Sequence, residues 1–347
     1  MVCLGLFASE PRLEKLVSLN RAEGYTPQVF HDGYLWLGRW RTGDDGTDHH
    51  FLEIRDQAGA NLLHSVEPRH SVQYLFPFDK KRILFTGKRF TAKGWRSYFT
   101  IASFENKKIK TETHQLPEQF QVEEFTGDPE KLFFNLVSDR TLIEVNPKSI
   151  RQLPLTIFGP GMMTKIADSL FVLERRSRLP GDEDVLRVNL TNLKVDRVFS
   201  ANRNGLLSLI ALNDRKTLAT SESLSHQVLL IDSQTNKLKG TITIPGSNPD
   251  SLAQLGDCLV VGSYAPPSLT LIDLKSSPPQ LIDRVSFEGQ TEDLPNVKKI
   301  SVNPSKGFLF LRSIGFLQDD PKTTNSVYRY FNPRWLEKCQ AAGMQGE

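Results

Sequence analysis

Cysteine is nearly missing from this 347-residue chain, occurring only as Cys3, Cys258 and Cys339. Separated by more than 80 residues at the closest, they leave no C-x-x-C metal site and no disulfide framework of the kind that staples small secreted domains, and they are expected to be buried or inert rather than functional. Long apolar runs are absent too. None approaches the roughly 20 residues that cross a bilayer as a helix, so no membrane span is expected. Neither sign of charge is in excess, since 43 lysines and arginines face 40 aspartates and glutamates. A net charge of +3 excludes a wholesale nucleic-acid or membrane-surface partner and leaves any electrostatic preference to local patches. There is no G-x-S-x-G elbow for a nucleophilic serine, and "GPGMM" (159–163) lacks the lysine and helix of a phosphate loop. "SLSHQ" (223–227) sets a serine near His226 without a third group to complete a triad. The opening "MVCLGLFASEP" has no basic leader, yet its apolar run ends in small residues. Read as the tail of a clipped signal it places the protein in the periplasm or outside the cell, and read as an ordinary start it leaves the protein cytoplasmic.

Helix-forming stretches rich in Ala, Glu and Lys are also missing, whereas 21 phenylalanines stand among scattered Val, Ile and Thr. That composition favours an all-β fold. The segment "HQVLLIDSQTNKLKGTITIPGSNPDSLAQLGDCLVVGSY" (226–264) divides into four short apolar runs, "VLLID", "LKGTITI", "DSLAQL" and "CLVVGS", each bounded by Asp, Asn, Gly or Pro. The run that closes on an Asx recurs at Asp56, Asn146, Asn189, Asp232 and Asp273, with Phe104 taking the second place in the series, at a period of about 43 residues. An Asx there accepts hydrogen bonds from backbone N–H groups two residues on and starts a turn, so these residues carry structure rather than function. A last partial unit stops one strand short, and residues 12–20, "RLEKLVSLN", precede the first complete unit as the outer strands elsewhere precede theirs. The repeats therefore predict a seven-bladed β-propeller of four-stranded antiparallel blades, its ring closed by pairing the N-terminal strand with the last blade. Residues 1–335 are expected to form one propeller domain, and 336–347 a short C-terminal helix or frayed tail.

Residues 226–287 resemble the bacterial YVTN-type seven-bladed propellers, whose units read as a valine-rich strand, "ID", a "T-N-K" turn, a "TI" strand and "G-x-x-P". The "P-D-G" turn of that family survives only as Leu255, Gly256, Asp257 and as His31, Asp32, Gly33, and the "YVTN" strand is degenerate. The resemblance implies the propeller fold. It leaves open lactone-hydrolysing enzymes, quinone-cofactor dehydrogenases, surface-layer and adhesion modules, and scaffolds, because fold does not settle function.

In such a blade the connection from second to third strand emerges on the same rim as the connection between blades, and here the long connections fall on that rim. They are 39–50, 88–98, 174–184 and 312–325. Recognition is expected on this face, since loops vary while sheets hold them. Its candidate ligand-binding residues are Arg39, Arg41, Lys88, Arg89, Trp95, Arg140, Arg175, Arg176 and Arg312, with Trp40, Phe90, Tyr98 and Tyr264 among them. If they converge, they form a basic, aromatic funnel suited to a carboxylate, a phosphate or an acidic peptide. The same loops carry Asp44, Asp45, Asp48, Asp182, Glu183, Asp184, Asp319 and Asp320, so self-neutralised loops are the competing expectation.

The stretch "RTGDDGTDHH" (41–50) invites a metal reading, but Gly46 stands where an EF-hand loop beginning at Asp44 needs its third ligand. His49 and His50 open a strand, where neighbours face opposite sides and do not share an ion. Met162 and Met163 suit a packed core, "ENKKIKTET" (105–113) suits the solvated edge of an outer strand, and Asn189 of the sequon Asn189-Leu190-Thr191 is already used as a turn Asx. The expected function is a non-enzymatic binding or scaffold module that takes an anionic ligand or a protein segment on the long-loop face, without cofactor. The alternative is a lactonase-like metal-dependent hydrolase at the central channel, for which Asp250, Asn248, Asn202 and Asn204 are the nearest candidates for a divalent metal.

Overall fold

The computed structural model describes residues 10–18, 27–117, 122–128, 131–136, 141–146, 149–157, 160–175, 182–202, 205–289, 294, 296–313 and 326–340. They form seven four-stranded antiparallel sheets arranged as the blades of a propeller. Six blades are built from consecutive strands, as in the first, which runs Gln28–His31, Tyr34–Thr42, Asp48–Arg55, Leu62–Val66. The seventh takes Lys299–Asn303, Phe308–Ser313 and Ser326–Phe331 from the C-terminal end and Arg12–Ser18 from the N-terminal end. Leu13 stands opposite Tyr330 and Arg12 opposite Phe331, and Arg329 pairs with Glu14 across the closing strands. The seam between last and first blades is held by the Gln28 amide, which donates to the Phe310 carbonyl at 2.7 Å, and by the Ser301 hydroxyl, which donates to Gln28 O.

Middle strands such as Cys258–Ser263, "CLVVGS", are buried on both faces because a blade packs on either side. Outer strands such as Leu238–Thr243 are mostly exposed. Between blades one and two the packing joins Trp36, Ile54, Val72 and Phe85. The Asx residues do the turn work expected of them: Asp232 Oδ1 accepts from the N–H groups of Gln234 and Thr235, and Asn189 Oδ1 from those of Thr191 and Asn192. These bonds hold the Asp232 carboxyl below its ordinary pKa, the Thr235 N–H contributing most. Met163 lies in the core between blades three and four, and Met162 reaches the central channel.

Two of the three cysteines are buried, as expected, but the expectation that no disulfide forms is overturned. Cys258 and Cys339 form a disulfide, their Cα atoms 5.3 Å apart. After its last strand the chain turns into the helix Pro333–Cys339, started by Asn332, whose side chain accepts from the Arg334 N–H. The helix folds back on the blade-six turn, where Asp257 N donates to Cys339 O. Trp335 is buried there and its indole N–H donates to Asp283 Oδ2 at 2.6 Å. Spacing in the chain cannot reveal such a contact, because tertiary docking rather than local geometry brings the two sulfurs together. Cys3 lies outside the described residues.

Candidate functional site

Two of the stretches expected as long loops are instead continuous β-ribbons. In blade one the strand runs to Thr42 and resumes at Asp48, with Trp40 opposite His50 and Thr42 opposite Asp48. In blade two it runs to Thr91 and resumes at Gly94, with Phe90 opposite Trp95. Glycine and aspartate at the tips read as loop, but cross-strand pairing carries both hairpins well beyond the point where the composition changes. The turns themselves are short. Asp45 Oδ1 accepts from the Thr47 N–H in the first, and the Thr91 hydroxyl donates to Gly94 O in the second.

The ribbons differ in charge. The blade-one ribbon exposes Asp44, Asp45 and Asp48, and its Arg39 is spent on buried Glu53, whose Oε1 it meets at 2.7 Å while Arg55 lies 3.3 Å from Oε2. The blade-two ribbon carries Lys88, Arg89, Lys93 and Arg96, with no acidic residue between Asp79 and Glu105. At its tip Phe90 is 66% exposed and Trp95 56%, the two rings meeting edge to face.

At the foot of these ribbons lies a cleft of about 440 Å³ lined by Trp40, His50, Gln73, Tyr74 and Lys88. Burial pushes the His50 imidazole below its ordinary pKa, against the pull of Asp48 and Glu67, and its Nδ1 is buried without a hydrogen-bond partner among the described residues. The other histidine, His49, turns away to Glu67 at 2.9 Å, as alternation along a strand requires. Behind the cleft His70 stacks on Tyr98 with ring centroids 5.2 Å apart. Its Nδ1 is 2.7 Å from Ser71 O and its Nε2 2.6 Å from Thr100 Oγ1. A carbonyl only accepts, so Nδ1 bears a proton and donates it to Ser71 O, while the Thr100 hydroxyl at Nε2 donates onward to Thr113 Oγ1 at 2.9 Å.

Burial lowers the His70 pKa to about 4, from 6.5. The unfolded chain therefore binds the proton more readily, and stability that is complete above pH 6.5 is lost as pH falls towards 4. The shift corresponds to about 3 kcal/mol in full. The urea midpoint is expected to drop between pH 7 and pH 4.5 in the wild type and to drop less in His70→Gln. Equal drops would remove His70 as the cause.

A second cavity, of about 150 Å³, sits on the axis among the inner strands and is lined by Gln28, Tyr74, Ser208, Asp250, Lys298 and Arg312. Lys298 pairs with Asp250 and lies 4.5 Å from the Tyr264 ring centroid. Burial, aided by the Asp250 charge, raises the Tyr264 phenol above its ordinary pKa. Among the described residues no group of three or more His, Cys, Asp and Glu is placed to hold a metal ion. Asp250, nominated for that role, meets an ammonium instead, and the side chains of Asn202 and Asn204 lie outside the described residues.

The candidate residues thus fall in several places. Lys88 lines the cleft, Arg89 and Trp95 are exposed on the blade-two ribbon, and Arg41 is exposed on the blade-one ribbon. Arg39 is engaged by Glu53, and Arg312 is buried at the axis. Arg140, Arg176 and the side chain of Arg175 lie outside the described residues. Residues not singled out from the sequence are Lys298, Gln73, Tyr74 and His70. Their common signal is position: they belong to the inter-blade segments "HSVQY" (70–74) and "NVKK" (296–299), which open on the same rim.

No protein-family model matches the chain, and no curated protein does. Solved structures do resemble it in fold. The β-propeller domain of Cps50 (Swd1) from Myceliophteria thermophila superposes with a TM-score of 0.64 at 10% identity, covering 92% of this chain and 99% of that one. Virginiamycin B lyase from Staphylococcus aureus gives 0.62 at 15% identity, over 92% and 99%. A chain of the mitotic checkpoint complex gives 0.62 at 10%, over 95% and 94%. The propeller expected from the repeats is present, and at these identities the likeness extends to fold alone.

Proposed function

We propose that this chain is a non-enzymatic binding module that takes an acidic protein segment on its long-loop face. The observation that carries the reading is the blade-two ribbon, which joins Lys88, Arg89 and Lys93 to two exposed rings without a single carboxylate between Asp79 and Glu105. Cations flanking aromatic anchors suit an acidic partner, the rings supplying contact area and the charges steering and register. The cleft at its foot, with Lys88 beside a neutral His50, adds a place for one side chain of the segment. Propellers of this shape occur both in a multiprotein complex and in a lyase, so charge pattern rather than shape favours binding. The lactonase-like alternative would draw on Asp250, whose carboxylate already meets Lys298.

A fluorescently labelled poly-glutamate peptide is the direct probe. Fluorescence anisotropy is expected to report binding that weakens with salt, and Arg41→Ser, Lys88→Ser and Arg89→Ser together are expected to weaken it by about 100-fold, at roughly 1 kcal/mol per charge. The heat-unfolding midpoint should be unchanged. Unaltered affinity in the triple variant sinks the reading, and hydrolysis of a lactone that chelation abolishes would favour the alternative.

A further inference from the structure

We propose that the long-loop face is self-complementary, and that two copies of this chain pair through it, the basic ribbon of each lying against the acidic ribbon of the other. This rests on the reading above and names the acidic segment that the blade-two ribbon takes. It is the blade-one ribbon of a second copy.

The two ribbons are neighbours on the ring and rise on the same rim, because blades one and two are consecutive and share their core. Their charges are opposite. Asp44, Asp45 and Asp48 are exposed on one, and Arg89 and Lys93 are exposed on the other. Among the described residues none of these five makes an ion pair, although the ribbons stand side by side. Their hydrogen bonds stay within their own turn, where Asp45 accepts from the Thr47 N–H and Asp48 from the Thr42 hydroxyl. Between the cations lie Phe90 and Trp95, uncovered apolar area of the kind that forms the centre of an interface with a charged rim.

A two-fold axis lying in the plane of this face, midway between the ribbons, sets each basic ribbon over the partner copy's acidic one. Both pairings then form at once, which is the isologous arrangement that closes as a dimer. The same geometry disfavours a uniformly anionic surface such as a lipid bilayer. That surface would attract one ribbon and repel the other beside it.

Charge reversal separates the outcomes. In one variant Lys88→Glu, Arg89→Glu and Lys93→Glu make both ribbons acidic. In the other Asp44→Lys and Asp45→Asn make both basic, the asparagine keeping the turn bond to Thr47. Sedimentation velocity is expected to find the wild type dimeric in about 0.05 M salt and dissociating towards about 0.5 M, as screening shortens the reach of the charges. Each variant alone is expected to associate at least about tenfold more weakly, and an equimolar mixture of the two to recover the dimer. Unfolding midpoints check that both variants fold. A wild type that stays monomeric, a variant that dimerises as the wild type does, or a mixture that fails to pair overturns the proposal. If the monomeric protein still binds poly-glutamate through Lys88 and Arg89, the broader reading survives the loss of this one.

Discussion

Replacing Cys258 and Cys339 by serine together is expected to lower the stability of the fold by up to about 4 kcal/mol. The bond closes a loop between residues separated by 81 positions, and chain entropy alone assigns a cross-link of that span roughly this stabilisation. Its place in the fold gives a second reason for a large effect. The helix Pro333–Cys339 has one buried aromatic anchor, Trp335, with one side-chain hydrogen bond from it, to Asp283. Seven residues are too few to hold a helix on propensity alone, so the bond and the indole together keep the segment docked. The check is a pair of urea titrations. The oxidised wild type should unfold at a higher midpoint than the double variant, and wild type held in reductant should coincide with the variant. Coincidence of all three would show that the bond does no such work.

Gly87→Ala is expected to destabilise the protein by more than about 4 kcal/mol and to distort the cleft as it does so. A Cβ at Gly87 would lie 1.7 Å from Ser71 O and 2.6 Å from His70 Nδ1. The first obstacle is backbone and the second is a ring held at both nitrogens, so neither swings aside as a flexible side chain would. The inter-blade segment must move as a whole. That segment carries Gln73 and Tyr74 into the cleft, and its Ser71 N–H donates to Lys88 O. Poly-glutamate binding should therefore weaken together with stability. The urea midpoint and the anisotropy titration measure the two effects on one preparation. A wild-type midpoint would mean that blades one and two are not in close contact at this point.

The blade repeat was legible because its signals are local. Each blade repeats a strand that ends in an Asx, and Asp232 and Asn189 accept from N–H groups only two or three residues on, so the pattern survives when every other position varies. The candidate site was legible only by rim. Arg39 and Arg41 look alike in sequence, two positions apart, yet Arg39 reaches buried Glu53 while Arg41 is exposed. Lys298 carried no signal beyond its inter-blade position. It joins Asp250 only because inner strands from different blades meet at the axis.

The sequence by itself determined the number of blades, the outer strand supplied by the N-terminal end, the rim that bears the long connections, and the charge of each connection. All of these are properties of neighbours along the chain. Only the tertiary structure decided that Cys258 meets Cys339, that the stretches 39–50 and 88–98 stand up as ribbons of opposite charge, and that His70 is held neutral behind the cleft. The physical reason is common to the three. A disulfide, a cross-strand register and a desolvated imidazole are each set by what packs against a residue, and in a ring of blades those neighbours come from the next blade or from the far end of the chain.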